Sequence, residues 1–526
     1  MLDTVTGLPR WDLISLIGLS VISTLFFFLT SFQRSPFPLI NGKGTLELSS
    51  SNAKKRFLAD AGNLIKIGLS KASVIRLVSD NDVKTVLHPK YVNDIRSHPA
   101  LSFGTAIQKE FHADADIHGF EPFKQGSTAG EIFQYAVRTK LTQSLGNVTE
   151  PLSSETALTL DISWTSNTGE GLAFKTPKAQ TDFWIEWHEV DLRASILGIV
   201  AQLSSRVFLG EQICRNPDWL RITVNYTVDS FIAAQDLRLW PKPLRPLVAN
   251  FLPSCRKIRS ELREAAEIIT PVLEERRKAK ETQVRVGRTP ERYVDAMQWM
   301  EESAQVRPYD PAVTQLSFSL AAIHTTSDML TQALFDLCGK DDLIKELREE
   351  IVTVIQGEDW KKTTLYKLKL MDSVLKESQR LKPVNIASMR RLASEDVKLS
   401  DGTIIPKGSS LFVSSDNMWD PSVYPDPEKF DPYRFLKLRE IPGHETSAQL
   451  VSPSPEHMGF GFGKHACPGR FFAVNEIKIA LCHILLKYDI RLPEGYTPAK
   501  RRMGISLDVD PLARLLVKRR QEEILL

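Results

Sequence analysis

Two helices stand out in the alternation of apolar and polar positions. DPAVTQLSFSLAAIHTTSDMLTQALFDLCGK is apolar nearly all round, opens with Asp310 before Pro311 and closes at Gly339. That pattern predicts a long buried helix with an aspartate cap and a glycine stop. LYKLKLMDSVLKESQRL, about Leu365 to Leu381, is amphipathic and stops just before Pro383, predicting one continuous surface-facing helix. VKLSDGTIIPKGSSLFV alternates around Asp401-Gly402 and Pro406-Lys407-Gly408, which predicts short strands joined by turns. No repeat or low-complexity tract divides 45–526, so this stretch reads as one domain, mainly α with small β-sheets.

The most hydrophobic run lies elsewhere. Leu13 to Phe32 holds 20 residues without a charge, enough to cross a bilayer core. Asp3, Arg10 and Asp12 precede it, whereas Arg34, Lys43, Lys54, Lys55 and Arg56 follow. The positive-inside bias therefore predicts a lumenal 1–12, a transmembrane anchor over 13–32 and a cytosolic body. A cleaved signal peptide fits less well, because the run is long, its leading segment is not clearly basic and no small-residue cleavage site follows. Pro36, Pro38, Gly42 and Gly44 make 33–44 a hinge between anchor and body.

Charge and cysteine content narrow the function. The 526 residues carry a net charge of +3, which excludes a nucleic-acid footprint, and 42% apolar residues exclude a disordered chain. Five cysteines (Cys214, Cys255, Cys338, Cys467, Cys482) are widely spaced and odd in number, which argues for a reducing compartment and leaves at least one free as a ligand. The sequons at Asn147 and Asn225 stay unmodified in a cytosolic body.

Candidate chemistry concentrates in HMGFGFGKHACPGRFFAVNEIKIALCHILLKY, positions 457 to 488. Phe460, Gly463, His465, Cys467 and Gly469 fall in the order F-x-x-G-x-(basic)-x-C-x-G, and a helical pattern starts directly after the cysteine. A thiolate beside a metal needs backbone donors to its sulfur and a low-dielectric lid. Glycines allow backbone N–H groups to approach it, and the following helix adds its positive end. Phe460 would cover the sulfur; Pro468 and Gly469 would set the turn. Taken alone Cys467 would be a buried structural cysteine, and no paired ligands at zinc spacing accompany it.

This stretch resembles the haem-binding loop of the cytochrome P-450 monooxygenases, and further segments fall in the family's order. The resemblance implies that fold, preceded here by one N-terminal transmembrane helix, with haem b held by Cys467 as axial ligand. Glu377 and Arg380, with Arg434 in Pro432-Tyr433-Arg434-Phe435, match the family's buried Glu/Arg network. Arg390 stands where the family places a cation for a haem propionate, and His465 where it commonly has arginine for another. Ala321 to Thr326 resembles the oxygen-activation segment, with Thr325 as its threonine and His324 in place of the usual acid, which suggests an imidazole relay or a water path. The family's early W-x-x-x-R is missing; Arg138 and Lys140 are the substitutes.

Further expectations follow from the same resemblance. No flavin or nicotinamide fingerprint is present, so NADPH-derived electrons would come from an NADPH-cytochrome P-450 reductase docking on a basic face around Lys464 and Arg470, with cytochrome b5 as a second candidate donor. Location would be the endoplasmic reticulum membrane, single-pass. The wording AAIHTTSD with HMGFGFGKHACPGRFFA resembles fungal secondary-metabolism enzymes acting on terpenoids, indole diterpenes and meroterpenoids. Ile323, the Val384 to Met389 segment, with Val384 and Ile386 foremost, and Ile505 are the candidate pocket residues. Competing readings are a haem-thiolate isomerase or dehydratase using no oxygen, disfavoured by Thr325, and a non-catalytic haem sensor. GEGLAFKTPKAQTDFWI, 169–185, interrupts the resemblance, as a retained intron or an inserted segment would.

Overall fold

The computed structural model describes residues 36–526 apart from 45–46, 48, 129–131, 166–185, 306 and 357–359. The expected anchor, 13–32, and the interrupting segment, 169–185, lie outside the described residues. Helices dominate. In chain order they include α1 (Ser51–Leu69), α2 (Phe103–Glu110), α3 (Glu121–Ser127), α4 (Thr142–Leu160), α5 (Leu192–Leu209), α6 (Pro217–Arg238), α7 (Pro253–Arg285), α8 (Ala296–Ala304), α9 (Pro311–Leu337), α10 (Asp341–Gln356), α11 (Lys362–Lys367), α12 (Lys369–Leu381), α13 (Arg434–Glu440) and α14 (Arg470–Lys487).

Strands form small sheets at the edge of the helical mass. β1 (Val74–Val78), β2 (Val83–Leu87), β3 (Leu101–Ser102), β5 (Ala387–Ala393) and β8 (Ser410–Ser414) make a five-stranded sheet ordered β1-β2-β8-β5-β3, in which only β2 and β8 run parallel. β4 (His188–Asp191), β9 (Tyr488–Arg491) and β12 (Arg514–Arg519) pair in the order β4-β12-β9. β6 (Val397–Lys398) with β7 (Ile404–Ile405), and β10 (Arg501–Met503) with β11 (Ser506–Asp508), are hairpins. The expected turns are present, with Gly402 at φ +87° and Gly408 at +79°, a region glycine enters without steric cost.

α9 is the axis of the molecule, packed by α3, α5, α6, α7, α12 and α14. Its start matches expectation: Asp310 Oδ1 accepts the Val313 N–H at 3.0 Å, and Pro311 takes the first turn. α5 is the helix among the described residues long and apolar enough to cross a membrane, but 67% of it is buried against its neighbours, so its hydrophobicity is spent on the core.

The second expected helix is divided. Leu368 leaves helical geometry at ψ 74°, separating α11 from α12. The cause is tertiary: the Glu350 carboxylate on α10 accepts the N–H groups of Leu370 and Met371 at 2.7 and 3.0 Å, and Lys478 on α14 donates to the carbonyls of Leu365 and Leu368. Side chains distant in sequence thus satisfy the groups that a break exposes.

Glu476 sits on α14 with no exposure, its Oε1 accepting from the Ser204 hydroxyl at 2.8 Å and its Oε2 without a partner among the described residues. Burial raises its pKa from 4.5 to about 8. The folded chain therefore keeps a proton that the unfolded chain releases, so this group's contribution falls as pH rises from 4.5 to about 8 and is flat above. Glu476→Gln should remove that decline, giving a melting temperature that exceeds wild type's by more at alkaline than at acidic pH; parallel pH profiles of the two proteins would refute the assignment.

Candidate active site

The cysteine loop is folded by its own backbone. Met458 O accepts the Gly461 N–H at 2.8 Å, Gly463 O accepts that of Ala466 at 3.0 Å, and Phe460 O accepts that of Cys467 at 2.8 Å. Gly461 and Gly463 have φ of +69° and +76°. At Gly463 a Cβ would come within 2.3 Å of the Arg96 carbonyl, which also accepts the Lys464 N–H at 3.0 Å. Glycine there is required twice over, by conformation and by close approach. Gly469 differs from expectation: as N-cap of α14 its φ is −88°, open to any residue, and a Cβ there would meet no protein atom.

Burial pushes the Cys467 thiol up, while the N–H groups of Gly469 and Arg470 and the Arg470 charge pull it down. Arg470 is fixed, donating to Val451 O and Cys467 O at 2.8 Å each.

A cavity of about 440 Å³ separates this loop from α9. Cys467, Phe460, Phe462 and His465 line one side, Ser317, Leu320 and Ala321 the other. Within an otherwise buried helix, Ala321 and Thr325 are exposed one turn apart, so a stripe of α9 faces open space. The Thr325 hydroxyl donates to Ala321 O at 2.9 Å.

Several expected residues fall elsewhere. His324 Nε2 lies 3.0 Å from Val224 O on α6, so that nitrogen carries the hydrogen, and burial lowers its pKa. One residue of helix turns it about 100° away from the Thr325 stripe; the expected imidazole relay has no geometry here. Ile323 is fully buried in the core. Ile386 and Ile505 belong to an apolar cluster with Phe57, Ala61 and Ile65 of α1, and the Val384 carbonyl is taken by Leu507 N–H. None of these four lines the cavity; Asn385, Ala387, Ser388 and Met389 do.

The neighbouring cations also sort differently from expectation. β5 slips register between Ser388 and Arg391, where Met389 adopts φ +53°, and successive side chains take different faces. Arg390 goes to Glu110 on α2, Nε to Oε2 3.4 Å. Arg391 is the buried one, 2% exposed, donating from Nη1 to Arg390 O at 2.8 Å with Nε unpartnered. Burial alone lowers its pKa to about 10. His465 is lowered to about 4 by burial and by Arg391, Lys464 and Arg138. Arg138, on a π-helical turn (Ala136–Leu141), donates to Lys464 O at 3.2 Å; Lys140 instead pairs with Glu302 at 2.7 Å. Sequence reasoning missed Arg391; the alternation along β5, with Ala387, Met389, Arg391 and Ala393 buried, is the signal that distinguishes it from its neighbour.

Glu377, Arg380 and Arg434 are brought together as their spacing suggests. Arg380, fully buried, grips both Glu377 oxygens at 2.8 and 2.9 Å and donates to Met418 O and Pro427 O at 2.6 and 2.7 Å. Arg434 Nε reaches Glu377 Oε1 at 3.1 Å. Two cations share this one carboxylate, and backbone carbonyls take their remaining donors, Pro425 O accepting from Arg434 Nη1 at 2.8 Å, so every charged group is hydrogen-bonded, the condition under which a buried ion network holds.

A family model described as Cytochrome P450 matches residues 177–512. The chain belongs to the cytochrome P450 family. It is 54% identical to cytochrome P450 monooxygenase adrA of Penicillium rubens over 99% of both chains. It is 51% identical to cytochrome P450 monooxygenase trt6 of Aspergillus terreus, over 91% of this chain and 94% of that one, and 47% identical to cytochrome P450 monooxygenase esdpI of Penicillium shearii, over 93% and 92%. The protein is thus an oxidoreductase of the monooxygenase class, and its family implies haem iron.

The residues of this cytochrome P450 fit that group. A thiol with two backbone donors faces the cavity, and Arg391, a buried cation with no carboxylate partner among the described residues, is costly unless a bound anion meets it. Arg391→Gln should lower the haem-to-protein ratio severalfold while leaving the far-ultraviolet circular dichroism of the purified chain unchanged. Full haem occupancy in that variant would show that the buried cation serves another anion.

Proposed function

We propose that this cytochrome P450 is a single-pass enzyme of the endoplasmic reticulum membrane that oxidises a lipophilic terpenoid, indole-diterpene or meroterpenoid, using NADPH-derived electrons delivered by a reductase, with cytochrome b5 as a second donor. The observation that carries the reading is the cavity itself, which has Cys467 at its floor, the small Ala321 opposite, and Phe103, Phe111, Phe123, Phe133 and Phe231 in its walls. Such walls suit a bulky apolar body and exclude water.

Haem iron bound there supplies dioxygen activation and transfer of one oxygen atom to a substrate C–H bond. Cys467 is assigned as its thiolate ligand, whose electron push favours O–O cleavage. The N–H groups of Gly469 and Arg470 stabilise the sulfur's negative charge. Arg391, His465 and Arg138 would hold the carboxylates of the group, with Phe460, Gly463 and Gly469 in the loop that would carry it. Thr325 gives its own proton to Ala321 O, which leaves its oxygen free to accept from a water and so to position a proton over the cavity. Glu377, Arg380 and Arg434 lock the loops beneath.

Two statements about the chain accompany this reading. Residues 13–32 act as the anchor, because their length and flanking charges suit it. Residues 169–185 are a candidate inserted segment or retained intron, although the family match begins within them, at residue 177; sequencing the mature transcript decides it.

With reductase, NADPH, isotopically heavy dioxygen and a terpenoid panel, the protein should form a product carrying one heavy oxygen atom, and Thr325→Ala should divert electrons to peroxide. A rearranged product formed equally well without dioxygen would replace this reading with the isomerase or dehydratase alternative.

A further inference from the structure

Arg390 remains unexplained by haem binding. Its guanidinium lines the cavity and stacks 5.2 Å from the Phe412 ring centroid. It lies 3.4 Å from Glu110 Oε2, without hydrogen-bond alignment at Nε. Lys84 Nζ stands at the same 3.4 Å from the same oxygen, on a side chain only 6% exposed, and also bonds Ser410 Oγ at 3.1 Å. Two cations therefore share one carboxylate. The neighbouring Arg238 adds nothing to the balance, being paired with Asp80. One positive charge is left over, and Lys84 is enclosed, so the excess is presented to the cavity by Arg390. Its terminal nitrogens donate to no acceptor among the described residues.

This cation is distinct from those beside the cysteine loop. Arg391, Lys464 and Arg138 are the charges felt by His465, whereas Arg390, Lys84 and Arg238 are those felt by Glu110. Next to Glu110 in the chain, Phe111 stacks on Phe123 at 4.1 Å and meets Phe231 edge-on at 4.9 Å. A charged fork thus stands beside an aromatic wall in one cavity.

We propose that Arg390 is a substrate-recognising residue, and that the substrate carries a carboxylate, which the guanidinium takes while the Phe111, Phe123 and Phe231 rings hold its apolar body. This rests on the monooxygenase reading above and deepens it. Planar carboxylate matches the two-nitrogen fork better than a neutral oxygen does, and an anion there balances the leftover charge at a site of low dielectric, where such a contact counts for more than in water.

The test is optical titration of the purified holoenzyme with abietic acid and with its methyl ester, a diterpenoid acid and its uncharged counterpart, at neutral pH. Wild type should bind the acid about tenfold more tightly than the ester. Arg390→Gln should bring the two affinities together with haem content and thiolate spectrum intact, and Arg390→Lys should keep part of the preference, since Lys84 continues to satisfy Glu110 in both variants. Three results overturn the proposal: no acid preference in wild type, an unchanged preference in Arg390→Gln, or loss of haem from Arg390→Gln, which would make Arg390 a haem-carboxylate partner instead. Failure of the monooxygenase reading would show separately, as a wild-type protein lacking the thiolate spectrum before any titrant is added.

Discussion

A sulfur that must ionise inside a low-dielectric interior to serve as a metal ligand is the constraint on which this account turns. Burial raises the Cys467 thiol's pKa, and an unpaired buried charge is among the most expensive features a fold can carry. The surrounding architecture answers that cost locally. Gly461 and Gly463 at positive φ let the loop turn tightly, α14 begins at Arg470 with its N–H groups toward the sulfur, and Arg470 is clamped by two carbonyls so that its charge stays near. A bound metal completes the arrangement by taking the charge that these partial positive groups only reduce.

The same electrostatic logic extends around the cavity. Arg391 is buried without a carboxylate among the described residues, and burial, helped by the cations near it, lowers the pKa of His465 to about 4. Arg390 and Lys84 outnumber Glu110. Arg380 and Arg434 likewise outnumber Glu377, but backbone carbonyls take the donors that the carboxylate does not. Cations whose donors are all taken therefore lie where the fold must be rigid, and cations with unpartnered donors line the cavity. That contrast separates the structural ion network from the binding site without reference to any relative.

Much of this was legible in the sequence wherever function is carried by local spacing. The cysteine loop, the Asp310 cap and the Glu377–Arg380 pair each lie within a few residues, so pattern alone places them. The misses share a cause in contacts from distant segments. Leu368 breaks a helix because Glu350 caps its second half. His324 is turned to α6 by Val224, and Ile323 faces the core, since a helix pattern apolar on all sides does not say which side meets the cavity. Arg391, not Arg390, falls on the buried face of β5, and two adjacent arginines do not say from sequence which face is the inner one. Ile386 and Ile505 face α1, a packing visible only once the sheet is assembled.

The most direct test of the central claim is the difference spectrum of the reduced, carbon-monoxide-bound membrane protein, compared with that of Cys467→Ser. The account predicts the red-shifted Soret band of thiolate ligation in wild type and its disappearance in the variant. A folded wild type showing only the shorter-wavelength band of a neutral ligand, or a variant retaining the red-shifted one, would contradict it.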